Sequence, residues 1–548
     1  MTRRLAGIAF WILLGLLIVA NAIVMWHSLT VLRFWEDEAF NLTVPRNLLA
    51  GFGYASDGAL SGSTLTPFDP RISTGPVVLL PVAGVLALGA DPVIGARLVP
   101  LAYWVLLLAG LGVLGRRIAG RFGALIAVAL PLAFNTAGSV SPIQGPADLL
   151  GEIAAAAFVV WALIVLPRRA WLAGLLLGLA VQAKLIALLA LPAFAVALFL
   201  LTPAGTSFRH RLGATLRRAI VPLVFVAVPT VLMELIALAS MGFTGYARHV
   251  RALGGFLLSG GQKYAPTTVP QKLGTLAGSW FVPWWLVVLA AVLAVLVVVV
   301  AVMPGTRPLR LLGGSDEESS RTLAHANDPA ESGQPLKRSN GPDPQRAEDA
   351  SSTAVSDPPR RRWWERDPQL LALGFGSAVG LLAFVGWWAQ AAQLPLWVRH
   401  PAVGVFAFTP ILAAIVVRAG AALWRRRAHR SGTVLRVGAV AAVGVLALVV
   451  AGGAAGDTVR ALRPPVAETL ARQRAAVAPL AEWVRENDVE WLAAKPWGGP
   501  ASTVVLTGAH LGLFDAPAMR HTPTLGYDAC ETGSPLASAN GIVICPAP

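Results

Sequence analysis

Three consecutive carboxylates, Glu36, Asp37 and Glu38 in Trp35-Glu36-Asp37-Glu38-Ala39, stand a few residues beyond the first long apolar run of the chain. Acidic groups at a membrane surface are costly unless they serve a function. Apolar surroundings raise a carboxyl pKa and a cation or metal lowers it, and general bases and metal ligands use both situations. Asp148 and Glu152 follow, four residues apart and on one face of a helix if it has already begun there. Cations then recur in short polar segments: Lys184, Arg248, Arg251, Lys263 and Lys272, and the pair Arg399-His400. Carboxylates that can take a proton from a hydroxyl, together with cations that can hold a phosphate, suit a phosphorylated, lipid-linked substrate.

The elements that must position these groups are membrane helices. The chain has 548 residues, of which 55% are hydrophobic and 13% charged, and its mean hydropathy is +0.64. Apolar runs near the roughly 20 residues that span a bilayer recur along it. Residues 1–26 read as an uncleaved first span. Ten more are expected near 93–115, 122–139, 151–167, 171–186, 187–202, 219–241, 281–303, 369–389, 401–419 and 435–455. The run Pro76 to Ala90 is short and Pro-flanked, which fits a helix at the interface better than a crossing. The fold class is therefore an all-α multi-pass membrane protein with about eleven transmembrane helices.

Alternate loops are basic: Arg116, Arg117 and Arg121; Arg168 and Arg169; Arg209, Arg211, Arg217 and Arg218; Arg425, Arg426, Arg427 and Arg430. The positive-inside rule makes these loops cytoplasmic together with the N-terminus. An odd span count then places the C-terminal segment outside, where Cys530 and Cys545, the only cysteines, are free to form a disulfide. The net charge of +15 is scattered among the spans instead of forming one basic domain, so it reports topology and not a nucleic-acid partner.

Four regions follow: a transmembrane module with its external loops at 1–303, a polar, disordered cytoplasmic linker at 304–368, the remaining spans at 369–455, and a small external α/β domain at 456–548. In the last, Val466 to Val484 is amphipathic, and both Ser502 to Leu506 and Gly541 to Ile544 read as strands. No GxxxxGK[ST] or GxGxxG loop marks a nucleotide site. No metal cluster of recognised spacing occurs, although acidic residues that transfer a proton can equally share a divalent cation.

The chain resembles the GT-C superfamily of polyprenyl-phosphate-sugar glycosyltransferases, in particular the branch holding protein O-mannosyltransferases and lipid A aminoarabinose transferases. The resemblance runs over residues 1–455. It rests on the order of Asp37-Glu38-Ala39 after a first helix, Gly75 to Leu80, Ala96-Arg97-Leu98-Val99-Pro100 leading into a helix that ends at Gly115-Arg116-Arg117, Gly151-Glu152, Ala183-Lys184, and Arg399-His400-Pro401.

The resemblance implies a bacterial plasma-membrane enzyme that transfers a sugar from a polyprenyl phosphate to a glycan, lipid or protein hydroxyl on the external face. Asp37 would be the base, with Glu36 as its rival, and Glu38 would position acceptor or metal. Asp148 or Glu152 would be a second acid, the start of a helix favouring Glu152. Lys184, Arg399 and His400, with Arg248, Arg251 and Lys263 of the fourth external loop, would hold the donor phosphate; an Arg-Tyr pair is frequent where this chain has Arg399-His400.

Plainer readings stand beside these. Acids are favoured at helix N-termini, Lys184 can snorkel from an apolar span, Arg248 and Arg251 can meet lipid headgroups, and the pairs Trp284-Trp285 and Trp387-Trp388 fit interfacial belts. A transporter or flippase would share the helices, but it would be expected to carry charges at mid-membrane. The spans here are nearly charge-free apart from Arg97 and Glu234.

Overall fold

In a computed structural model the described residues are 2–58, 65–67, 74–134, 143–203, 207–258, 265–302, 367–425, 430–465, 468–495, 498–513, 516–531 and 533–547. Lys263, most of the expected linker and Ser139 to Pro142 lie outside them. The helices are α1 (Thr2–Thr30), α2 (Glu36–Leu49), α3 (Pro76–Ala87), α4 (Pro92–Ala133), α5 (Glu152–Val165), α6 (Ala170–Ala183), α7 (Leu191–Leu201), α8 (Phe208–Leu258), α9 (Val269–Gly278), α10 (Trp284–Val302), α11 (Pro368–Gln390), α12 (Arg399–Arg425) and α13 (Arg430–Leu462). Two short strands, β1 (Ala55–Ser56) and β2 (Thr66–Pro67), pair antiparallel after α2.

Seven of these helices, α1, α4, α8, α10, α11, α12 and α13, are long and apolar enough to cross a membrane. The apolar helices α5, α6 and α7 are shorter, and α7 is entered through a 3-10 turn at Leu185–Ala190. Helix α4 holds two of the expected spans. It is broken at Ala119 and Gly120, where Gly120 takes φ +70°, a conformation that costs a residue without Cβ little. Helix α8 is broken likewise at Gly242. Helix α12 is enclosed over most of its surface and packs on α4, α11 and α13. Leu130, Ala133, Ala413, Val416, Leu446 and Val450 form one apolar core at these contacts.

The C-terminal domain comprises α14 (Leu470–Glu486), α15 (Gly499–Thr507) and a sheet of β3 (Trp491–Ala494), β4 (His510–Leu513), β5 (Thr524–Tyr527), β6 (Ala537–Ala539) and β7 (Ile542–Cys545), ordered β4-β3-β5-β7-β6. Cys530 and Cys545 are joined in a disulfide. Two sequence readings are corrected here. Ser502 to Leu506 is part of helix α15 and not a strand. The reason is topological: β3 and β4 are parallel neighbours, and a parallel pair needs a crossover, usually a helix. Trp388 is no belt residue; it is fully buried and its Nε1 donates to the Pro395 carbonyl.

Candidate active site

The acidic run opens helix α2, in the segment between the first span and α3. Trp35 is the extended N-cap and supplies no side-chain cap, so the three carboxylates of the first turn face the positive end of the helix. Successive residues point about 100° apart on a helix, which sends each carboxylate to a different partner. Glu36 lies 3.6 Å from Arg33. Asp37 pairs with Arg399, across 362 residues of sequence. Glu38 is buried and bound by Arg97 through two bonds, Nε to Oε1 at 3.0 Å and a terminal nitrogen to Oε2 at 2.6 Å.

Exposure separates the three further. The Glu38 side chain is 2% exposed, whereas that of Asp37 is 26% and that of Glu36 is 23% exposed. Of the three, only the Asp37 and Glu36 side chains are partly open to solvent, and one Glu36 oxygen is itself buried. Among the described residues no group of three His, Cys, Asp or Glu converges as a metal centre.

Arg97 is a further site residue whose role the sequence leaves open. Besides Glu38 it donates to the carbonyls of Ser28, Leu29, Leu32 and Arg33, so one guanidinium satisfies the C-terminal end of α1 and fixes the first turn of α2. Its signals in the sequence are a charge inside an apolar span and its place in Ala96-Arg97-Leu98-Val99-Pro100. Asp148 lies alongside: its Oδ1 accepts from Trp35 Nε1 at 2.8 Å and its Oδ2 from the Gln144 amide at 2.9 Å. Burial, reinforced by the Glu38 carboxylate, pushes the Asp148 carboxyl well above its ordinary value against the pull of those hydrogen bonds.

Asp148 and Glu152 are therefore not equivalent. Asp148 precedes helix α5 and braces Trp35. Glu152 begins α5 and pairs with Lys184, at the end of α6, at 3.2 Å. Glu152 Oε2 is buried without a hydrogen-bond partner. His400 Nε2 is likewise unpartnered; its ring stacks on Trp397 with centroids 5.7 Å apart and lies within electrostatic reach of Arg399 and Lys184. The Arg399 guanidinium sits over the faces of Trp397 and Trp35, at 4.7 Å and 5.9 Å. Asp37, Glu152, Lys184, Arg399 and His400 thus lie within pairing or electrostatic reach of one another, with unfilled hydrogen-bonding capacity at Glu152 and His400.

Of the other described cations, Arg248 and Arg251 do not join them, whereas Lys272 lies within electrostatic reach of His400. Arg248 and Arg251 are exposed on the part of α8 beyond Gly242, and among the described residues neither makes an ion pair. Lys272 is buried in α9 and donates to the carbonyls of Trp388 and Ala391 at 2.6 Å each, closing the C-terminal end of α11. Asn41, in the sequon Asn41-Leu42-Thr43, is buried and donates to Thr74 and to the Leu149 carbonyl, so it is no glycan acceptor.

No family model matches the sequence, and no curated protein matches it. Two solved structures share its fold. ArnT from Cupriavidus metallidurans in the apo state superposes with a TM-score of 0.56 at 13% identity, with 98% of each chain covered. ArnT of the same organism bound to undecaprenyl phosphate gives a TM-score of 0.54 at 13% identity, covering 98% of this chain and 97% of that one.

Proposed function

We propose that this protein is an integral-membrane glycosyltransferase that moves a sugar from a polyprenyl phosphate to an acceptor hydroxyl, with Asp37 as the base. The observation that carries the reading is the pairing of Asp37, which keeps an accessible side chain, with Arg399, which lies beside Lys184 and His400. The shared fold with an ArnT bound to undecaprenyl phosphate supports it.

The chemistry follows from charge exchange. The phosphodiester of the donor, a monoanion, takes Arg399 and Lys184 as partners through charge-assisted bonds, and these bonds strengthen as the departing phosphate gains its second charge. Asp37, released from Arg399, accepts the proton of the acceptor hydroxyl. The acceptor oxygen bonds to the anomeric carbon, the bond from that carbon to the phosphate oxygen breaks, and polyprenyl phosphate leaves with its charge held by the two cations. Glu38 is the brace that fixes the first turn of α2 through Arg97. Glu152 sets Lys184, and its unpartnered Oε2, with His400 Nε2, supplies contacts to the sugar.

The reaction is placed on the external face of the bacterial plasma membrane, with a cytoplasmic N-terminus. The basic alternate loops support that orientation, and the Cys530–Cys545 disulfide fits an oxidising compartment for the C-terminal domain. For a divalent cation the partly exposed donors are Glu36 and Asp37.

The test is transfer from radiolabelled polyprenyl-phosphate hexoses and pentoses by purified protein in nanodiscs. Asp37→Asn is expected to lower turnover about 10²–10⁴-fold, the usual share of a general base, with donor binding kept. Arg399→Gln is expected to weaken donor binding itself. Absence of transfer with every donor, alongside movement of donor across liposomes by the wild type, would replace the enzyme with a flippase.

A further inference from the structure

A partly polar cavity lies at the other end of the helices that carry Arg97 and Arg399. Its volume is about 300 Å³ and its wall includes Arg117, Arg168, Arg418 and Asp367. Helix α4 carries Arg97 in the carboxylate cluster and Arg117 in this cavity, twenty residues and about 30 Å apart along the axis. Helix α12 repeats the arrangement with Arg399 and Arg418, nineteen residues and roughly 28 Å apart. The two sites are thus separated by about the hydrocarbon thickness of a bilayer, which puts the second at the opposite membrane face.

We infer that this cavity binds the phosphodiester headgroup of an anionic phospholipid. Three arginines face one aspartate, so the lining carries a net positive charge. Arg418 is not a loop residue. It sits within the apolar α12, half-buried, 3.7 Å from Asp367, and it donates to the carbonyl of Ile118 at 3.0 Å where α4 breaks. The positive-inside rule accounts for cations at helix ends and in loops, such as Arg117 before the break in α4 and Arg168 after α5, but not for a guanidinium drawn into the helix bundle beside them. The remaining wall is apolar, with Leu163 and Leu370 on facing helices. Cations at a mouth with apolar walls behind suit a headgroup whose acyl chains lie along the bundle, and basic pockets between membrane helices take anionic lipids. This site is independent of the transfer reading.

The experiment is native mass spectrometry of the full chain equilibrated in mixed micelles of phosphatidylglycerol and phosphatidylcholine. Arg168→Gln serves first, because among the described residues that side chain makes no bond within the protein and its loss leaves the fold intact. It is expected to lower the ratio of retained phosphatidylglycerol to phosphatidylcholine about fivefold, the worth of one arginine near a lipid surface. The triple variant Arg117→Gln, Arg168→Gln, Arg418→Gln is expected to lower it further. A control, Arg116→Gln with Arg169→Gln and Arg425→Gln, removes as many charges from neighbouring positions outside the cavity and is expected to leave the ratio near that of the wild type. Equal losses in the control and cavity variants, or none in either, would overturn the site. Displacement of the lipid by excess inorganic phosphate would overturn its assignment to a lipid.

Discussion

The residues of the acidic run divide by accessibility and partner, although all three have the same chemistry. Glu38 is held in a bidentate bond and serves structure; Asp37 keeps a partly exposed side chain and can serve reaction. Removing Arg97 would leave Glu38 a buried, uncompensated charge. Arg97→Met is therefore expected to cost about 3–5 kcal/mol of stability, and Glu38→Leu in the same chain to recover part of it, read by thermal unfolding in detergent. Asp148 makes a second case. Its folded pKa is raised above the ordinary 3.8, so the folded state binds the proton more tightly than the unfolded one. The contribution of Asp148 to stability is then fully present below that ordinary value and is lost as pH rises through the raised one. Asp148→Asn keeps an oxygen for Trp35 and is expected to flatten this slope. Parallel melting-temperature profiles for the variant and wild type would refute the assignment.

At the scale of elements, the cluster depends on how closely helix ends approach. The N-cap of α5, Gly151, abuts the carbonyl of Ala183 at the end of α6, and any Cβ there would run into that oxygen. The same carbonyl accepts from the Gly75 amide ahead of α3, so three elements meet on it. Gly151→Ala is expected to push α5 from α6 and separate Glu152 from Lys184. The expected cost is about 1–3 kcal/mol, with a matching fall in transfer at constant expression, measured on purified protein. Helix α2 is a short helix within the segment that follows the first span. Its first turn is stabilised by acids and its remainder, Ala39 to Val44, is buried against neighbours, which offsets a weak intrinsic pattern and an internal Pro45.

At the scale of the molecule, α2 is held from both sides. Arg97 ties it to the membrane helices. On the other side, Arg46 donates to the carbonyls of Val505 and Gly508 in the C-terminal domain. Asp57 accepts from the Leu511 amide at 2.8 Å and meets His510 Nδ1 at 3.1 Å. Gln473 of α14 exchanges two hydrogen bonds with the backbone of Phe34, two residues before the acidic run. The C-terminal domain is thus a clamp on the helix that carries Asp37. Asp57→Ala leaves the buried Leu511 amide without its partner and is expected to cost about 1–3 kcal/mol. Faster limited proteolysis of the C-terminal domain, with slower transfer and unchanged donor binding, is the expected readout; unchanged proteolysis would show that the clamp does not depend on Asp57.

Composition and periodicity determined the membrane class, the position of the apolar helices, the amphipathic α14 and the strand at Ile542, because each depends on residues adjacent in sequence or one helical turn apart. Segment order, read through a family resemblance, also offered Asp37, Glu38, Asp148, Glu152, Lys184, Arg399 and His400 as candidate groups. Only the tertiary structure decided which of them meet. Asp37 finds Arg399 across 362 residues, and Glu38 takes Arg97 from within an apolar span. Lys272 is spent on the end of α11, and a β-branched run becomes the helix that joins two parallel strands. The physical reason is the same in each case: a buried charge or an unpaired backbone group must be satisfied by whatever the fold brings beside it, and that neighbour is set by packing between distant segments, not by local sequence.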